Sequence, residues 1–201
     1  LVGSEMCIRD SNGTYGSSSG TSMATPNLAG CATLLLQYMK TQEAYFGGMN
    51  RYDTNILANA LLMGTARPLK NPNGGYYSPR KQGAGLVQLK DAIDATAYLS
   101  VDGMNRPKIE LGDDPQKTGL YTLTFDVTNF GDTAITYDLS VAVLTESIFH
   151  SEEYGLDFIA EESKDLTTLT NVTYTTGQTV KVKANCTETV SVQLELTTEA
   201  K

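Results

Sequence analysis

YGSSSGTSMATPNLAG, Tyr15 to Gly30, is the stretch from which the rest of this 201-residue chain is read. Its first half is rich in glycine and serine, so Asn12 to Gly20 is expected to form a loop with no strand at 16–20. A helix should follow, because Leu28, Cys31, Ala32, Leu35 and Met39 recur at the one-face spacing of a buried helix running to about Lys40. Its start has two readings: Thr25 caps with Pro26 at the first helical position, or the helix begins near Ser22 with Pro26 in the first turn. In both, Ser22 stands at the N-terminal end. Small neighbours there let a substrate backbone approach, and helix-end N–H groups face any negative charge that develops. Two roles are open to such a serine on physical grounds: a helix cap, which is the commoner, or a nucleophile attacking a carbonyl.

Outward from this stretch the chain divides by period. A second helix is expected from Asp53 to about Met63, with Ile56, Leu57, Ala60 and Leu61 on one face and Gly64 ending it. Residues 67–85, rich in Pro, Gly and Asn, read as loop, and a short helix at about Leu89–Ala95 follows. Val101–Pro107 is polar and aperiodic, and reads as a linker. Beyond it the period becomes two: Leu123, Phe125 and Val127 alternate with polar residues, NFGD at Asn129–Asp132 makes a turn, and Ile135 to Val143 alternate again. Val180–Ala184 and Val190–Leu196 do the same. Eighteen threonines between 118 and 198 favour half-buried strands, so this half is expected to be an all-β sandwich of about seven strands. The stretch 147–166 breaks the pattern and reads as a long excursion between strands.

Composition narrows the partners. Residues 1–104 carry 8 basic and 7 acidic side chains, against 7 and 16 in 105–201, a step that marks two units of different character. A net charge of −8 argues against nucleic acid or an anionic membrane surface as partner, and no apolar run reaches the roughly 18 residues of a transmembrane segment. Cys7, Cys31 and Cys186 are odd in number and scattered, which indicates neither a disulfide framework nor a zinc site. One histidine, His150, leaves little material for acid–base chemistry near neutral pH.

The string GTSMATP, Gly20 to Pro26, resembles the nucleophile motif of the subtilisin family of serine endopeptidases, in which the serine of GTSMA(S/A/T)P is catalytic. Asn27 departs from the family, which usually has a histidine outside the triad at that place. LMGTARP (Leu62–Pro68) and SPRKQGAGLVQLKDAI (Ser78–Ile93) are similar to the closing segments of the domain in cell-envelope subtilases of the lactocepin type. The resemblance covers about residues 12–200, strongly for 14–95 and architecturally beyond. It implies the C-terminal, incomplete portion of an α/β subtilisin-like domain at 12–100, followed by an all-β fibronectin type III-like sandwich at 105–201. LVGSEMCIRDS, residues 1–11, resembles translated sequencing adaptor and reads as a non-native leader.

Carried over by position, the resemblance makes Ser22 the catalytic nucleophile, with its own N–H an oxyanion donor. Gly20 and Thr21 match the approach loop and Met23 the side chain beside the nucleophile. The family order of Asp, then His, then Ser places both partners before Ser22, so the fragment is expected to lack them and to be inactive alone. His150, among Glu146, Glu152 and Glu153, is expected to be exposed or paired on the surface rather than to act as base. The resemblance implies a protein or peptide substrate, a secreted or cell-surface (cell-envelope) location, no cofactor or metal in this fragment, and room for calcium in the complete protein. A second class of reading remains: a non-catalytic β-sandwich serving as a binding or spacer module, beside a remnant peptidase segment. Sequons occur at Asn12, Asn171 and Asn185, and the paired acids Asp113-Asp114, Glu152-Glu153 and Glu161-Glu162 lack the ligand spacing of a calcium loop.

Overall fold

The computed structural model describes residues 6–9 and 15–200, so Asn12 and most of the stretch read as a leader lie outside the described residues. Within that stretch, β1 (Met6–Arg9) pairs antiparallel with β2 (Tyr15–Ser18), from Met6 opposite Ser18 to Arg9 opposite Tyr15. The expected loop at 12–20 is therefore corrected in its second half. Its Gly/Ser composition hid a strand that owes its pairing to a partner rather than to its own propensity.

Helix α1 (Thr21–Thr41) is followed by the one-turn α2 (Glu43–Phe46) and by α3 (Arg51–Gly64). Helix α3 starts where Asn50 accepts from the Asp53 N–H at 2.9 Å, a side-chain cap. After a loop come α4 (Pro79–Gln82), a single turn inside the segment expected to be loop, and α5 (Leu89–Asp94). Leu35 and Met39 of α1 meet Leu57, Ala58, Leu61 and Leu62 of α3 and Ala92 of α5 in one buried cluster. Of the expected apolar faces, Leu28, Ala32, Leu35 and Met39 of α1 and Leu57 and Leu61 of α3 enter this core, extended on α3 by Ala58 and Leu62, while Cys31 and Ile56 stay half-buried outside it.

Strand β3 (Ala97–Ser100) starts the β-rich part, ahead of the expected linker. It pairs with β4 (Leu120–Asn129); β5 (Ile135–Asp138) follows, then β6 (Leu144–Ser151), β7 (Leu156–Asp165), β8 (Thr170–Tyr174), β9 (Thr179–Val182) and β10 (Cys186–Leu196). One four-stranded antiparallel sheet has the order β3-β4-β10-β8, and β5-β9 and β6-β7 are separate two-stranded ribbons. Val127, Val190, Val192 and Leu194 of the large sheet bury against Val180 and Val182 of β9. Alternation along β4 and β10 made those inward residues legible. Two expectations are corrected: regular pairing stops at Asp138 rather than continuing to Val143, and the excursion at 147–166 is the β6–β7 hairpin, with a bulge between Glu146 and Ile148.

The NFGD turn joins the two cores. Asn129, fully buried, donates through Nδ2 to the carbonyls of Thr133 (2.8 Å), Val182 (3.2 Å) and Lys183 (3.0 Å), and its Oδ1 accepts from the Gly131 N–H at 2.9 Å. Phe130, next in the chain, packs instead on the helical side, with ring centroids 5.9 Å from Tyr45, 5.5 Å from Phe46 and 6.3 Å from Tyr98. Asp132 accepts from the Tyr45 hydroxyl at 3.1 Å, and this hydrogen bond, helped by the aspartate charge, holds the phenol pKa above its ordinary value.

Replacing Asn129→Ala should lower stability by about 2–4 kcal/mol, since three carbonyls lose the donor that a fully buried side chain supplies; a urea midpoint equal to the parent's would refute the clamp. Asp132→Asn should bring the Tyr45 titration back down toward the ordinary phenol range, read by NMR on labelled tyrosine. Because the folded pKa is the raised one, the contribution of this contact is whole below the unfolded phenol value and is lost as pH climbs through the folded value.

Candidate functional site

Helix α1 begins one residue after Gly20, whose φ of 144° lies where a side chain is rarely accommodated. The Gly20 carbonyl receives the N–H groups of Met23 (3.1 Å) and Ala24 (3.0 Å) and closes the first turn. Thr21 and Ser22 precede the first residue able to find a helical carbonyl, so their N–H groups point out of the helix end with the positive end of its dipole behind them. Of the two sequence readings of the helix start, the earlier one holds. Pro26 lies inside the helix, where it has no N–H to give to the Ser22 carbonyl, four residues before it. The Thr25 hydroxyl turns back to the Thr21 carbonyl at 2.8 Å.

This arrangement decides one question about Ser22. The capping position is Gly20, with no side-chain cap hydrogen bond, so Ser22 does not serve as the helix cap. It is exposed, in the second helical position, beside exposed Thr21, half-buried Met23 and buried Ala24. The four residues singled out from the sequence, Gly20, Thr21, Ser22 and Met23, thus form one continuous surface element at the start of α1.

No side-chain hydrogen bond links Ser22 to a base among the described residues. His150 stands on β6 with Nδ1 at 2.8 Å from Asp157 Oδ1 of β7, both side chains exposed, which is the surface pairing expected of it. Among the described residues no group of three or more His, Cys, Asp or Glu is placed to hold a metal ion, and no helix is long and apolar enough to cross a membrane. A cavity of about 520 Å³ lies away from the motif, between α3 and strands β3, β4, β5 and β9, with Leu61, Tyr98, Phe125 and Tyr137 in its wall.

What sequence reasoning missed is how the segment 67–85 is held. Gln82 is buried; its Oε1 accepts from the Leu69 N–H at 2.7 Å and its Nε2 donates to the Tyr77 carbonyl at 2.6 Å. The same segment docks on β7: Ser78 N–H donates to the Glu161 carbonyl (3.1 Å), Ser163 N–H to the Tyr76 carbonyl (2.8 Å), and Asn71 Nδ2 to Glu162 Oε2 (2.8 Å). At Gly75 the Glu162 carboxylate lies where a Cβ would stand, so any larger residue would require that side chain to swing aside. A glutamine among prolines and glycines carries no periodic signal, which is why it was not singled out.

Replacement of Gly20 by alanine should cost on the order of 1–3 kcal/mol, through the strained φ rather than through a clash; a thermal midpoint unchanged from the parent would show that the helix entry has another conformation.

The comparisons with known proteins agree with the motif. Residues 5–85 match the subtilase family model, Peptidase_S8, a span that starts before β1 and runs through α4. The PI-type proteinase of Lactococcus lactis subsp. cremoris is 32% identical over 160 residues, covering 74% of this chain and 8% of the relative. The PII-type proteinase of Lacticaseibacillus paracasei matches to the same extent, and the C5a peptidase of Streptococcus pyogenes is 34% identical over 131 residues, 65% of this chain and 11% of the relative. The chain therefore spans about a tenth of the length of the curated relatives it matches. The motif and these matches together identify the chain as a carrier of subtilase-family sequence, over residues 5–85.

Proposed function

We propose that Ser22 is the nucleophile of a subtilase-type serine endopeptidase, and that residues 12–100 are the C-terminal part of its peptidase domain. The observation that carries this reading is GTSMATP at the start of α1, with its serine exposed and relieved of a capping role. In the reaction, Ser22 Oγ attacks the scissile carbonyl of a protein or peptide substrate while a base takes its proton. The N–H of Ser22 donates to the oxyanion that forms, collapse expels the amine and leaves an acyl-enzyme, and water then releases the acid. Gly20 and Thr21 leave room for the substrate backbone and Met23 flanks the nucleophile. The base and its orienting aspartate are proposed to precede Ser22 in the complete protein, as the family's order of Asp, then His, then Ser requires; no hydrogen bond joins His150 to Ser22.

The β-rich part, 105–201 with β3 added at its edge, is proposed as a fibronectin type III-like sandwich that accompanies the peptidase as a spacer or recognition module. The four-stranded sheet facing β5-β9 across one apolar core supports this. A secreted or cell-surface location goes with the same reading.

Two measurements test it. The 201-residue chain should show no labelling by a serine-directed phosphonate above its Ser22→Ala variant, because a hydroxyl without a base is a weak nucleophile; stoichiometric labelling of Ser22 would overturn the missing-base reading. In the complete protein, Ser22→Ala should lower peptide hydrolysis by about 10³-fold or more, and full retention of hydrolysis would remove Ser22 from the reaction.

A further inference from the structure

The β6–β7 hairpin exposes apolar side chains on both of its faces. Ile148 opposes Ile159 on one face, and Phe149 opposes Phe158 on the other, with the two phenyl rings stacked at 5.8 Å. Tyr154 at the turn sets its ring edge-on to Phe158 at 6.0 Å. Ile148 is 69% exposed, Tyr154 64% and Leu156 58%. A two-stranded ribbon with nothing on either face is poorly stabilised by itself, and a cluster of this kind on a soluble surface marks an interaction site.

Three observations define what would cover it. The first is the open edge. Strand β7 pairs with β6 and, near its root, meets Tyr76–Ser78, whereas β6 has no strand on its outer side among the described residues. Such an edge accepts an extended chain, whose side chains then alternate between the apolar face of Phe149, Leu156 and Phe158 and the mixed face of Ile148, Ile159 and Asp157. The second is charge. Between Ser147 and Ala160 the ribbon carries Glu152, Glu153 and Asp157 and no Lys or Arg, and Glu161 follows. These carboxylates favour a cationic partner and disfavour an anionic lipid surface. The third is the whole chain's charge of −8, which opposes a second copy of itself on an already acidic ribbon. The geometry points to the β6–β7 hairpin as a docking site for an extended protein segment that alternates apolar with basic side chains. This goes beyond the peptidase reading and does not depend on Ser22.

The probe is a fluorescently labelled peptide of alternating valine and lysine, titrated onto the 201-residue chain by anisotropy, with alternating valine and glutamate as control. Saturable binding of the lysine peptide alone is expected, weakened by about tenfold in Glu152→Lys/Glu153→Lys and on raising salt from about 50 mM to about 500 mM. Those two glutamates are exposed turn residues, so this variant tests charge without disturbing the ribbon's apolar contacts; Phe149→Ser/Phe158→Ser should weaken binding by a similar factor. Equal binding of both peptides, or no loss in either variant, would overturn the proposal. So would a concentration-dependent dimer abolished by the phenylalanine variant, or sedimentation with anionic vesicles, since each names a different occupant.

Discussion

The amide of Asn129 holds the turn on which the two cores depend. A buried turn brings several peptide groups out of water without giving them ladder partners, and each unpaired one costs about as much as a lost hydrogen bond. Asn129 answers this with both of its donors and its acceptor, spanning the turn itself and the end of β9. An aspartate there has no donor for the Val182 and Lys183 carbonyls, and an apolar residue of similar size satisfies none of them. With the turn fixed to the sheet, the following side chain has one place to go. Phe130 fills the space left by Tyr45, Phe46 and Tyr98, so the helical core is completed by a residue from the β-rich part.

A second fastening lies at the other end of the contact. The backbone of Tyr76–Ser78 borrows hydrogen bonds from β7, while Gln82 holds the same segment from within. Arg80 lies 3.2 Å from the Glu146 carboxylate across this seam, but its guanidinium is largely exposed, so the ion pair contributes little beside the backbone bonds. The loop that sequence composition marks as irregular is therefore irregular in shape and fixed in position. Movement of the β-rich part relative to the helices would have to break the packing of Phe130 on Tyr45 and Phe46 and the bonds of Tyr76–Ser78 to β7 together.

Legibility in the sequence followed the burial of each element. Helices α1 and α3 and strands β4 and β10 each bury one face, and one-sided burial is what writes a period into a sequence. Leu35 and Met39, or Val190, Val192 and Leu194, could be named for that reason. The β6–β7 hairpin buries neither face at its tip, so SIFHS and LDFIA alternate nothing and read as a break. Strand β2 failed differently: its residues have little preference for a strand, and pairing with β1 supplies what local propensity does not. The reach of Phe130 across to α2 was out of sight because a turn motif specifies its own backbone and says nothing of where its side chains land.

The candidate site shows the complementary case, in which a short string was legible without any period. Part of GTSMATP is explained by local structure: Gly20 takes a φ that other residues resist and Ala24 is buried, whereas Pro26 lies inside the helix at the loss of one hydrogen bond. Local structure does not ask for Ser22. It caps nothing, buries nothing and would be replaced by alanine with a gain in helix propensity. Freedom from a folding role, beside two outward N–H groups and an unobstructed glycine, is what the nucleophile proposed at this position would need. The same subtraction leaves His150 without such a claim, because its carboxylate partner and its strand already explain its position.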